Sequence, residues 1–231
     1  MLPARARLAA GLLAAATLLA GCADFDNPAA AQGVTRNDLI AELAAQLGAS
    51  ESLSYTATYQ LAGGTTGSIT HTRHPARTAY RYPGGELLIS TAAITRCVRR
   101  SCTLTTPPDP AGRLPASLFT AAQRTGLVAP PTVLALLDAA ALDPDIVVEQ
   151  RDTTIAGRHA TCVRLADVDG APAGEFSTCI TNDGLVGSFA GTLDGKALDV
   201  AMTDYTDRTD PDAFEPPQGA ATIDHRRPPS S

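Results

Sequence analysis

The sequence predicts an α+β fold: a curved antiparallel β-sheet, shaped as a half-barrel, whose single apolar face is covered by helices. Three observations predict it. Leu53, Tyr55, Ala57, Tyr59 and Leu61 alternate with Ser54, Thr56, Thr58 and Gln60, the two-residue period of a half-buried strand. Turn pairs at Ala156-Gly157, Asp183-Gly184 and Asp194-Gly195 divide the second half into hairpins of fixed register. Three segments carry apolar residues at helical spacing, without the strand–helix alternation of a parallel sheet.

Taken in order, residues 1–21 open with Arg5 and Arg7 and continue as apolar and small residues from Leu8 to Gly21. That run falls short of the roughly 20 apolar residues of a bilayer-spanning helix, and its basic start marks a secretory signal. Its end, Leu19-Ala20-Gly21-Cys22, resembles the lipobox of bacterial lipoproteins. In that family the cysteine takes a diacylglycerol and the signal is cut before it. The resemblance therefore implies lipid attachment at Cys22 and a place on the extracytoplasmic face of the cell membrane. Two or three acyl chains make a stable anchor where one does not. An ordinary cleaved signal with a chance cysteine is the alternative.

Residues 22–34 are small or polar and lack a helical or strand period, so they read as a lipidated flexible tether. A domain over 35–217 follows. Its first helix is expected at Thr35–Leu47, with Thr35 as N-cap and Asp38 three positions on; Leu39, Ile40, Leu43 and Leu47 form its stripe. Strand-like runs follow the first strand at about 67–73, 77–82, 86–91 and 94–105, separated by Gly-Gly, His-Pro and Pro-Gly-Gly. Two helices are expected at Pro115–Thr125 and Pro131–Leu142, the latter presenting Val133, Leu134, Leu136, Leu137 and Ala140. Residues 218–231, rich in proline and polar residues, are expected to be a disordered tail.

In the second half, two-residue turns and a Cys162–Cys179 bridge place Val148 opposite Leu165, Leu165 opposite Phe176, Phe176 opposite Gly191 and Gly191 opposite Leu198. The next row aligns Val163, Thr178, Phe189 and Val200; beyond it lie Ile180, Gly187 and Met202. All fall on one side of the sheet, while Arg164, Ser177, Ser188, Thr192, Asp199 and Thr203 fall on the other with the bridge. Gly187 and Gly191 on the apolar side permit a sharp bend or the close approach of a large group.

Without Cys22 four cysteines remain, Cys97, Cys102, Cys162 and Cys179, an even number that in an exported chain points to disulfides. Four cysteines allow three connectivities; proximity favours Cys97 with Cys102 and Cys162 with Cys179. The spacing lacks the close CxxC pairs of structural zinc sites, so no metal is expected.

Acidic residues outnumber basic ones, 24 to 18, and removal of Arg5 and Arg7 would widen the gap. Such a balance excludes a nucleic-acid partner held by phosphate neutralisation. His71 and His74 form HxxH, which on a strand points to opposite faces. Asp167-Val-Asp-Gly170 lacks the later ligands of a calcium loop, and Asp204, Asp207, Asp210 and Asp212 read as a solvated acidic run. No GxSxG elbow, phosphate loop or dinucleotide fingerprint occurs, so neither an enzyme nor a cofactor is expected.

The order of pieces resembles actinobacterial cell-envelope lipoproteins of the broad LolA and LppX/LprG-like type: lipobox, tether, helix, antiparallel meander, two middle helices, then a meander with Ala160-Thr-Cys-Val-Arg and Ser177-Thr-Cys-Ile. In that family a bent half-barrel and helices enclose an apolar cavity. The resemblance implies a non-catalytic protein that binds or carries an acyl-chain ligand in the envelope, and it transfers no site residue beyond Cys22. The candidate lining is Val163, Leu165, Phe176, Phe189, Val200 and Met202, residues that serve equally well as plain core. The alternative is an envelope scaffold with a filled core that binds another protein.

Overall fold

A computed structural model describes residues 28–108, 114–168 and 171–226. The expected signal at 1–21 and the attachment residue Cys22 lie outside the described residues. Helix α1 spans Pro28–Ala49, α2 Thr120–Thr125 and α3 Pro130–Ala141. A first meander contains β1 (Tyr55–Leu61), β2 (Thr66–Arg73), β3 (Ala76–Tyr82), β4 (Gly85–Ser90), β5 (Ile94–Val98) and β6 (Ser101–Thr105). A second contains β7 (Val147–Ile155), β8 (Arg158–Ala166), β9 (Glu175–Thr181), β10 (Val186–Leu193) and β11 (Lys196–Thr206), and a last strand, β12, spans Ala221–Asp224.

All twelve strands join one sheet in the order β12-β6-β5-β4-β3-β2-β1-β11-β10-β9-β8-β7. The two meanders meet where β1 pairs antiparallel with β11, setting Leu61 opposite Val200 and Tyr59 opposite Met202. The ends of the order do not pair, so the sheet is large, curved and open. The architecture is α+β, with α1 and α3 packed together and joined to α2 in one apolar cluster with the sheet.

Local chemistry explains the register. Ile155 pairs with Arg158 and Leu193 with Lys196 across two-residue turns, and Cys162 pairs with Cys179. The β9–β10 turn differs. It encloses three residues, Asn182-Asp183-Gly184, because the Gly184 amide donates to the Thr181 carbonyl at 2.7 Å and the Thr181 amide donates to the Leu185 carbonyl at 2.9 Å. Ile180 therefore faces Val186, not Gly187, and a bulge at Gly187 returns the register so that Phe189 faces Thr178 and Gly191 faces Phe176. The two glycines do admit large neighbours. A Cβ at Gly191 would lie 2.8 Å from the Phe176 Cβ, and one at Gly187 would lie 3.0 Å from the Ile155 side chain.

Four expectations are corrected. Helix α1 begins at Pro28, so Thr35 lies inside it and is no N-cap, and residues 28–34 of the expected tether are helical. Proline at the first helical position and the alanines after it favour a helix even without an apolar stripe. The middle helix opens with a 3-10 turn at Ala116–Phe119 before α2. The run 94–105 is a hairpin that reverses at Arg99-Arg100, which sets Cys97 opposite Cys102. The tail is ordered in part: after a 3-10 turn at Pro211–Phe214, β12 pairs in parallel with β6, the Ala221 amide donating to the Arg100 carbonyl and the His225 amide to the Leu104 carbonyl, both at 2.8 Å. A sheet edge offers unpaired amides and carbonyls, and Ala-Thr-Ile-Asp is a short segment able to accept them.

Candidate functional site

The inner face of the sheet carries the candidate site. Val163 and Leu165 come from β8, Phe176 from β9, Phe189 from β10, and Val200 and Met202 from β11. Alternation along paired strands turns all six to the same side, and all are buried, with Met202 the most exposed at 3%. The Phe176 and Phe189 rings stack with centroids 5.8 Å apart. Opposite them, α1 contributes Ile40, Leu43 and Leu47, and α3 contributes Val133, Leu136 and Leu137 to the same apolar cluster. Leu39 and Leu134, also expected on the helix stripes, pack against its edge.

The first meander extends this face with residues not assigned to the lining from sequence. Tyr55, Tyr59, Leu61, Ile69, Tyr80 and Leu87 are buried with the second meander, and Tyr80 meets Phe119 edge-on at 5.3 Å. The alternation of β1 signalled Tyr59 and Leu61; placing them beside Met202 and Val200 required the β1–β11 pairing, whose strands lie far apart in sequence. Burial pushes the hydroxyls of Tyr55, Tyr59 and Tyr80 well above the usual tyrosine range, so they are neutral phenols at physiological pH. Thr178 brings a hydroxyl to this face and satisfies it by donating to the Ser188 carbonyl at 2.9 Å. A surface of aliphatic, aromatic and neutral phenol groups is suited to sheltering hydrocarbon from water.

The two disulfides, Cys97–Cys102 and Cys162–Cys179, join facing strands of their hairpins. The second packs on the outer face with Ala160. On that face Arg164 reaches Glu175 at 2.5 Å and Glu149 at 3.7 Å. A concavity of about 610 Å³ adjoins Arg164, Glu175 and Ser177 and touches one lining residue, Phe176. A smaller one, about 270 Å³, lies beside Phe214 on the first meander.

His71 does not join His74 around a metal: its Nδ1 lies 2.8 Å from the Thr78 hydroxyl and its Nε2 lies 3.1 Å from the Glu51 carbonyl. Among the described residues no group of three or more His, Cys, Asp or Glu converges, Asp204, Asp207, Asp210 and Asp212 included. Of the calcium-like segment, Asp169 and Gly170 lie outside the described residues. Among the described residues no helix is long and apolar enough to cross a membrane.

No protein-family model matches the chain, and no curated protein matches it. Solved structures resemble it distantly. A conserved protein of Thermus thermophilus, described as uncharacterized, aligns at 13% identity over 81% of this chain and 98% of its own, with a TM-score of 0.45. MucB aligns at 14% identity over 80% of this chain and 66% of its own, with a TM-score of 0.47. PNGF-II aligns at 11% identity over 76% of this chain and 32% of its own, with a TM-score of 0.39. At these values none of the three assigns a family or a function.

Proposed function

We propose that this chain is a non-catalytic lipoprotein of the LolA and LppX/LprG-like half-barrel type, anchored through Cys22 to the extracytoplasmic face of the cell membrane, and that it binds or carries acyl chains between sheet and helices. The supporting observation is one apolar face that runs unbroken across both meanders of an open sheet and is covered by helices lying outside the strand ladder. Such a cover can separate from the sheet without breaking its pairing. A sheltered acyl chain gains about 25 cal/mol for each Å² of apolar surface removed from water, several kcal/mol in all, so transfer needs no cofactor. Two disulfides fit an oxidising compartment.

The second reading is an envelope scaffold with a filled core whose partner is another protein. Close packing favours it, since the six lining residues are at most 3% exposed. A titration separates the two. The Cys22→Ser chain, which cannot be acylated, is mixed with a fluorescent long-chain fatty acid. The carrier reading expects saturable binding that Val163→Trp, by filling the space beneath the helices, weakens roughly tenfold or more. Absence of saturable binding in the parent chain favours the scaffold.

A further inference from the structure

On the outer face of the first meander, opposite the helices, the chain after β11 crosses β3 and β4 as a strap. Phe214 seats it, packing on Ala79 and Leu88. The Arg81 guanidinium fixes it, donating to the Asp212 and Ala213 carbonyls at 3.1 and 3.3 Å. Between strap and sheet lies the cleft of about 270 Å³, walled by Leu88, Leu104, Phe214 and Pro216 with Thr95 and Arg77. That volume equals roughly nine waters at about 30 Å³ each, room for a small organic acid.

Arg77 sets the chemistry of the cleft. Its guanidinium carbon lies over the Phe214 ring, 4.5 Å from the centroid, a cation–π contact. Its Nε is buried and has no hydrogen-bond partner. A buried N–H left unpaired on a charged group is costly, and Arg77 lines the cleft with a guanidinium whose paired N–H groups match the two oxygens of a carboxylate. Among the described residues lining the cleft, Glu215 is the one carboxylate, and it is exposed at the rim.

We propose that this cleft is a second ligand site, which takes a carboxylate borne on a small apolar body: the oxygens on the Arg77 guanidinium, the body against Leu88, Leu104 and Phe214. The site is independent of the inner face and is reached without displacing a helix.

The test is a titration of the ¹⁵N-labelled Cys22→Ser chain with sodium benzoate and, separately, benzamide, a neutral molecule of the same shape. Benzoate is expected to shift the amides of residues 77–78, 88–95 and 214–215 saturably, and benzamide to bind roughly tenfold more weakly or worse. Arg77→Gln is expected to bring benzoate down to the level of benzamide. Leu104→Trp, which fills the cleft and leaves Arg77 in place, is expected to abolish both, and it decides the matter if Arg77→Gln fails to fold. No saturable shift in the parent chain, equal affinity for the two probes, or undiminished benzoate binding in either folded variant would overturn the site.

Discussion

Gly184 sits at φ +83° in the three-residue turn between β9 and β10, and a Cβ there would collide with the Gln46 carbonyl oxygen near the end of α1. Gly195 has a similar φ of +75°, but nothing lies within 4 Å of its Cβ position. The two positions separate backbone strain from collision. Gly195→Ala is expected to destabilise by about 1 kcal/mol, the cost of a left-handed non-glycine residue, and Gly184→Ala by more than about 2 kcal/mol because α1 must also shift. Urea titration of both variants measures the difference; equal values would mean that α1 is not seated on this turn. Sequence announced the turn through Asp183-Gly184 but left its third residue unread, because Asn182 joins the loop through backbone bonds that leave no mark in composition.

Glu86 is a second residue whose surroundings set its behaviour. It is buried on the outer face, its Oε1 has no partner, and Arg81 lies 3.4 Å away. Burial raises its carboxyl pKa above the ordinary 4.5 more than Arg81 lowers it. Between 4.5 and that raised value the folded state holds more protons than the unfolded state, so stability falls as pH rises through the window. Glu86→Gln is therefore expected to unfold at a temperature equal to or higher than the parent at pH 7, with the parent gaining on it as pH falls toward 4.5. Thermal scans from about pH 4 to 7 check this; a variant less stable than the parent only at pH 7 would mean that the Arg81 pair outweighs desolvation.

At the scale of elements, each disulfide staples one hairpin, and their sequence separations differ, 5 residues for Cys97–Cys102 and 17 for Cys162–Cys179. If constraint of the unfolded chain dominates, removing the longer closure by Cys162→Ala with Cys179→Ala costs about 3 kcal/mol, and removing the shorter costs about 2 kcal/mol. Denaturant midpoints of the two double variants give the comparison; the reverse order would show that native packing around the cysteines matters more than loop length. The hairpins β7–β8 and β10–β11 were legible because a two-residue turn fixes every pair above it, which placed Phe189 opposite Val200, whereas Phe176 lies opposite Gly191 because the bulge at Gly187 offsets the longer β9–β10 turn. Two elements were not. Residues 28–34 carry no apolar stripe, yet their alanine content extends α1. Every residue of the strand Ala221–Asp224 is exposed, so burial leaves no signature, and only the free edge of β6 calls it into the sheet.

For the whole molecule, sequence reached the class of fold and the sidedness of the second meander but not the joint between the meanders. That joint pairs Tyr59 with Met202 across more than half the chain, and no local turn dictates it. It matters to the site because it makes two apolar surfaces into one, so that Tyr59, Tyr80 and Leu87 share a cluster with Phe189 and Val200. The outer face is divided otherwise: the strap covers part of the first meander, while Arg164, Asp199 and Thr203 leave the second exposed.

The most direct measurement is native mass spectrometry of the purified Cys22→Ser chain, followed by solvent extraction and identification of what it carried. An acyl lipid is expected in near-equal stoichiometry with protein, depleted when Val163→Trp occupies its place. A chain that emerges without lipid and refuses it on exposure to a lipid extract, while keeping its fold, would rule out a carrier of acyl chains.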